Sequence, residues 1–112
     1  SFCREDVIVK LNICGRKYTV RRGDIPGNFG LCDCNKATIT IACDLEQHTE
    51  IPPETILLHE VMHAVLYETG ITNILKEREE EAIVHALGLQ LSRIGYILQR
   101  PLPDSLLNAR HE

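Results

Sequence analysis

Thr55–Val65 reads T-I-L-L-H-E-V-M-H-A-V, and the helix it implies organises the rest of the chain. Ile56, Leu57, Val61, Met62, Val65 and Leu66 recur at three- and four-residue steps, the period of a helix. Pro52 and Pro53 block regular structure before it, and Pro53 suits the first helical turn. Gly70 stands where a C-terminal cap is expected. Inside this helix His59 and His63 are four residues apart, so they are neighbours on one face and can point at one ion. Glu60 follows the first histidine and can reach a water on that ion without being a ligand. Zinc lowers the pKa of such a water to about 7, and a carboxylate can then take its proton. A helix this apolar is penalised for two histidines and a glutamate unless they are paired or coordinated.

Upstream, the chain reads as strands. Val7, Val9 and Leu11 alternate with Ile8, Lys10 and Asn12, which fits an extended segment. Gly15 and Arg16 suit a turn, and Tyr18–Val20 is a short β-favouring run. Arg21–Gly30 holds Gly23, Asp24, Pro26, Gly27, Asn28 and Gly30 and reads as a loop. Asp33–Lys36 reads as a turn feeding Ala37–Ala42, A-T-I-T-I-A, whose alternation and β-branched residues make the clearest strand. Downstream, Ile71–Leu75 is a short connection. A second helix is expected from near Lys76 to about Gln99, with Ile83, Val84, Leu87, Leu91, Ile94 and Leu98 as one apolar stripe. Pro101 and Pro103 stop it, and the tail to Glu112 reads as polar and frayed. The expected architecture is α+β: a small antiparallel sheet of about three strands packed on two helices, one domain over residues 1–112.

Composition narrows the function classes. Twelve basic against sixteen acidic residues leave a net charge of -4, which argues against a nucleic-acid face. No run of apolar residues is long enough for a membrane span. Ser1–Lys10 lacks the basic-then-apolar pattern of a signal peptide. The five cysteines are Cys3, Cys14, Cys32, Cys34 and Cys43. An odd count fits a reducing compartment better than a disulfide framework, so a cytoplasmic location is expected. Cys32 and Cys34 form a C-x-C pair, but no second pair accompanies it to complete a structural zinc site. They read as ordinary small buried residues.

A catalytic zinc usually takes three protein ligands and leaves a position for water. Glu79, Glu80 and Glu81 open the second helix, where a hairpin would bring them back to the histidines. A negative charge there also favours a helix N-terminus, which accounts for two of the three. Periodicity places Glu80 nearest the centre of the apolar stripe, with Glu81 turned about 100° away. Since a metal at a cleft edge needs no mid-stripe ligand, Glu80 and Glu81 both remain open. His85 lies four residues beyond Glu81, as a partner to a ligand or a rival to one.

Thr55–Val65 resembles the zincin metallopeptidases, in particular the gluzincin type with a downstream glutamate ligand. The closer likeness is to the minimal metallopeptidases of phage and prophage genomes. In these a G-x-C-D-like turn, an alternating strand, a T-L-L-H-E-x-x-H helix and an E-x-x-V-x-x-L helix follow one another. Here those stretches are Gly30–Asp33, Thr38–Ala42, Thr55–His63 and Glu81–Leu87. The resemblance implies His59, His63 and Glu81 as zinc ligands, the E-x-x-V register choosing Glu81, and Glu60 as general base. It also implies a peptide or protein substrate pairing with the strand Ile39–Ala42 as a sheet edge. Tyr67 and Tyr96 are the candidates for stabilising an oxyanion. Two other readings compete. A deformylase-like amide hydrolase would add a cysteine ligand from Cys32, Cys34 or Cys43. A metal-stabilised binding or regulatory module would close the site with a fourth ligand, for which His48 and His85 are available.

Overall fold

The computed structural model describes residues 6–98. Its elements run β1 (Asp6–Ile13), β2 (Arg16–Gly23), β3 (Gly30–Asp33), β4 (Thr38–Ala42), a short 3-10 turn at Leu45–Gln47, α1 (Pro53–Glu68), a second at Ile71–Asn73, and α2 (Glu77–Leu98). The fold is α+β, as expected. The expected tail from Pro101 onward lies outside the described residues.

The sheet differs from expectation in count and direction. It has four strands in the order β1-β2-β4-β3. β1 pairs with β2 and β3 with β4 antiparallel, but β2 and β4 run parallel, Thr19 opposite Thr38 and Gly23 opposite Ala42. The sheet is therefore mixed. The turn between β1 and β2 falls at Cys14 and Gly15 rather than at Gly15 and Arg16. Both have positive φ, 53° and 87°, the two-residue hairpin turn whose twist matches the flanking strands. Asn12 supports it by accepting the Gly15 N–H at 2.8 Å. β2 then runs on through Arg21–Gly23, which had read as loop. Gly30–Asp33, which had read as a turn, is a strand.

That extra strand corrects a second expectation. β4 lies between β2 and β3, so Ile39–Ala42 has no free edge. β3 is the edge strand on that side.

The core explains the order. Tyr18, Val20, Ile39, Ile41 and Leu45 are fully buried, each stabilising by about 1.5–3 kcal/mol against exposure. They come from β2, β4 and the turn that follows, so the parallel pair is the centre of the fold. Ile56, Leu57 and Val61 of α1 pack against them, and Ala64 is buried. Glu68, at the end of α1, accepts hydrogen bonds from the Tyr18 hydroxyl (2.6 Å) and from Arg16 (2.9 Å). These two donors outweigh burial and hold its carboxyl below the ordinary value, the Tyr18 bond contributing most. They fix the helix end over β2, and with it the direction of the histidine face. Pro53 starts the helix and Gly70, at φ 81°, ends it after the Thr69 cap, both as expected.

α1 is apolar all round because it has neighbours on two sides: the sheet on one and α2 on the other. That arrangement leaves most of its apolar side chains half-buried rather than buried. The stripe expected on α2 is only partly used. Val84 and Gly88 are buried, whereas Ile83, Leu87, Leu91 and Ile94 are exposed. The face on α1 runs along Glu80, Val84 and Gly88, at four-residue steps.

Gly88 sits where the helices approach. A Cβ there would lie 3.7 Å from Met62 Sδ and 4.0 Å from His59 Cα, ordinary contact distances. Glycine inside a helix costs about 0.5–1 kcal/mol relative to alanine. Gly88→Ala should therefore raise unfolding stability by about that amount, read as a higher urea midpoint at unchanged slope. A lower midpoint would mean that the helices are closer than described.

Among the described residues no helix is long and apolar enough to cross a membrane. Cys14, Cys32 and Cys34 are free thiols. Cys43 is disulfide-bonded, so the expectation of reduced cysteines does not extend to it.

Candidate metal centre

His59, Glu60 and His63 lie on consecutive turns of α1, and the short link through Ile71–Asn73 returns the chain so that the start of α2 faces them. One ligand atom from each of His59, His63 and Glu81 lies within 4.8 Å of the others, a group that could hold a metal ion. Among the described residues it is the one such group. His63 Nε2 is 2.7 Å from Glu81 Oε1, and His59 Nε2 is 3.8 Å from Glu81 Oε2. Donors about 2.1 Å from a tetrahedral zinc stand about 3.4 Å apart, and the observed spacings bracket that. Two imidazoles and one carboxylate are also a donor set that catalytic zinc takes. The residues fit the ion.

Both open glutamates meet the His63 ring, from opposite sides. Glu80 Oε2 is 2.6 Å from His63 Nδ1, and both side chains are largely buried. A carboxylate only accepts, so Nδ1 carries the proton of that bond. The same ring therefore either carries a second proton toward Glu81 or offers Nε2 as a lone pair to a cation between them. Glu80 fixes the orientation of the ring, as partners behind metal-binding histidines do. The one-residue offset sends Glu81 to the cleft side and Glu80 to the inner side of α2.

Glu60 is buried, at 8% exposure. Burial pushes its carboxyl up, with His63 opposing and Glu81 adding to the rise. Burial, with His63 next, holds His59 below its ordinary value, so its ring favours the neutral form that binds metal. Glu60 lies against the edge strand. A Cβ at Gly30 would stand 2.6 Å from Ile56 Cγ2 and 3.0 Å from both Glu60 Cγ and Glu60 Oε2. Gly30 is thus the residue that lets β3 approach the carboxylate. Nothing local in its sequence context marks it, since the contact depends on α1 docking.

Gly30→Ala should cost about 1–3 kcal/mol in stability through overpacking. It should also displace Glu60, so any activity that depends on that carboxylate should fall further than metal affinity does. Denaturant melts and metal titrations of the variant read the two effects separately.

The centre opens into a cleft of about 560 Å³, walled on one side by Gly30, Leu31 and Cys32 of β3 and on the other by α1 and α2. Tyr67 reaches this cleft from α1, and its hydroxyl donates to Asn35 Oδ1 at 3.1 Å. The side chain of Tyr96 lies outside the described residues. His85 is exposed and borders a smaller neighbouring hollow with His59 and Glu60. It is not in the three-residue group. His48 pairs with Asp44 at 3.0 Å, apart from the centre. Cys32 and Cys34 line the cleft but do not join the donor group. The chain matches no family model, no curated protein and no solved structure.

Proposed function

We propose that the chain is a zinc-dependent peptidase in which His59, His63 and Glu81 hold the ion and Glu60 is the general base. The observation that carries this reading is the convergence of three donors beside a buried carboxylate at an open cleft. When bound, zinc would acidify a water and polarise the scissile carbonyl.

The chain's own groups do the rest. Glu60, destabilised as an anion by burial, accepts a proton more readily than an exposed carboxylate and is suited to general base catalysis near neutral pH. Glu80 keeps His63 in the tautomer that leaves Nε2 free. The outer edge of β3 borders the same cleft, so an extended peptide can add to the sheet there, its backbone held along Gly30–Asp33. This replaces Ile39–Ala42 as the strand offered to substrate. Tyr67 is the described tyrosine on the cleft wall and the candidate donor to a developing oxyanion.

A closed, non-catalytic module would need a fourth ligand, and among the described residues none joins the three. A cysteine ligand is also disfavoured, since neither Cys32 nor Cys34 joins the donor group. The test is to titrate the purified metal-free chain with zinc and assay a mixture of unstructured peptides by mass spectrometry. One tightly bound zinc and zinc-dependent cleavage are expected. Zinc binding without cleavage of any peptide would overturn the peptidase reading while leaving the metal centre intact.

A further inference from the structure

β3 ends in a feature that the metal centre does not use. Cys32 Sγ and Cys34 Sγ are 3.4 Å apart, and both are partly exposed on the cleft wall. Cys32 lies in β3, and Cys34 opens the turn that follows it, so the bend of the chain brings the two side chains together. The turn beyond them is held in place. Arg16 donates to the carbonyls of Cys34 at 2.6 Å and Asn35 at 2.7 Å. Asp33 accepts the Lys36 N–H at 3.2 Å. The two sulfurs are therefore neighbours by construction, on a rigid wall that small molecules reach from solvent.

We propose that Cys32 and Cys34 form a dithiol that low-molecular-weight disulfides convert reversibly to an intrachain disulfide. Cys34 attacks one sulfur of the reagent as its thiolate. The reagent's S–S bond breaks, a mixed disulfide forms on Cys34, and the departing thiolate takes up the proton that Cys34 lost. The Cys32 sulfur then attacks Cys34 Sγ and expels the second reagent thiol, which carries away the Cys32 proton. Two protein thiols are oxidised and one reagent disulfide is reduced to two thiols, so the exchange balances. Burial, with the neighbouring Cys34 adding to it, holds the Cys32 thiol well above its ordinary value. That makes Cys34 the first attacker and Cys32 the resolving thiol. Closure has to shorten the sulfur separation from 3.4 Å to about 2.05 Å, a small movement beside the cleft. The site is independent of the metal reading.

The test uses the full chain in buffers of graded oxidised-to-reduced glutathione, quenched by alkylation and digested with trypsin. Cys32 and Cys34 fall in one peptide, Gly23–Lys36, and Cys14 in another, Leu11–Arg16. Gly23–Lys36 is expected to lose both alkyl groups and to be lighter by two hydrogens. This should occur at a glutathione ratio about tenfold more reducing than the one that modifies Cys14. Cys32→Ser should trap glutathione on Cys34, and Cys34→Ser should leave Cys32 mostly alkylated. Alkylation of both cysteines across ratios that already modify Cys14 would overturn the proposal. Glutathione on Cys32 in the C34S variant, equal to that on Cys34 in C32S, would overturn the order of attack.

Discussion

Glu60→Gln is expected to leave zinc stoichiometry unchanged while peptide hydrolysis falls by about 10²–10⁴-fold, the usual share of a general base. The substitution is close to isosteric, so the close approach of residue 60 to Gly30 survives. It removes the ability to take a proton at Oε and nothing else of that size. Because burial already disfavours the Glu60 anion, a neutral amide at this position should not lower unfolding stability in the metal-free chain. Three readings on one sample separate the possibilities: zinc content, denaturant midpoint and cleavage rate. Undiminished cleavage would remove Glu60 from the mechanism. Loss of zinc would make it a ligand instead.

The second large effect concerns the two adjacent glutamates. Glu80→Ala removes the group that orients His63, and loss of such a partner weakens metal binding by about 10–100-fold. Glu81→Ala removes a donor atom from the group of three, and its loss should exceed that of Glu80→Ala. Glu80→Gln is expected to recover part of the affinity, since its amide oxygen can still accept from His63 Nδ1. Zinc competition against a chromophoric chelator measures all three. A larger loss for Glu80→Ala than for Glu81→Ala would exchange their roles.

How far the sequence discloses this arrangement depends on the range of the forces involved. The limits of α1 are legible because they are local: Pro53 opens it, Gly70 closes it, and the periodic apolar residues fill it. Ala37–Ala42 is legible for the same reason, by alternation and β-branching. β3 is not. Gly30-Leu31-Cys32-Asp33 is short and begins and ends on turn-favouring residues, and it becomes a strand only by pairing with β4 across Cys34–Ala37. β2 was read too short because Arg21, Arg22 and Gly23 carry no β signal. Arg21 and Arg22 pair with Val7 and Asp6 of β1, and Arg21–Gly23 pair on the other side with Thr40–Ala42, nineteen positions along the chain. The direction of that pairing, parallel, decides which strand is an edge and no local pattern encodes it. On α2 the apolar period identified a stripe but not which part of it meets a neighbour.

The same division runs through the candidate metal centre. His59, Glu60 and His63 share one helix, so their relation follows from helical spacing alone. Glu80 and Glu81 were identifiable as a pair, and the donor group contains Glu81, while Glu80 contacts the other nitrogen of the His63 ring. The hairpin gives each a task, one in front of His63 and one behind it. Gly30 was read only as loop and turn, because its importance lies in what it lets Glu60 approach.

The candidate ligands belong to two helices joined by a short link, and that has a consequence for solution behaviour. An ion held by His59, His63 and Glu81 would bind the docked helix pair and not the separated one. By mass action, free zinc at about a hundred times its dissociation constant would add about 2.7 kcal/mol to the folded state. A chain this small has a modest reserve of stability, so free zinc would be a sizeable share of what keeps it folded. Chelation would then lower the denaturant midpoint of the whole domain, and the resting folded population would report the zinc activity around it.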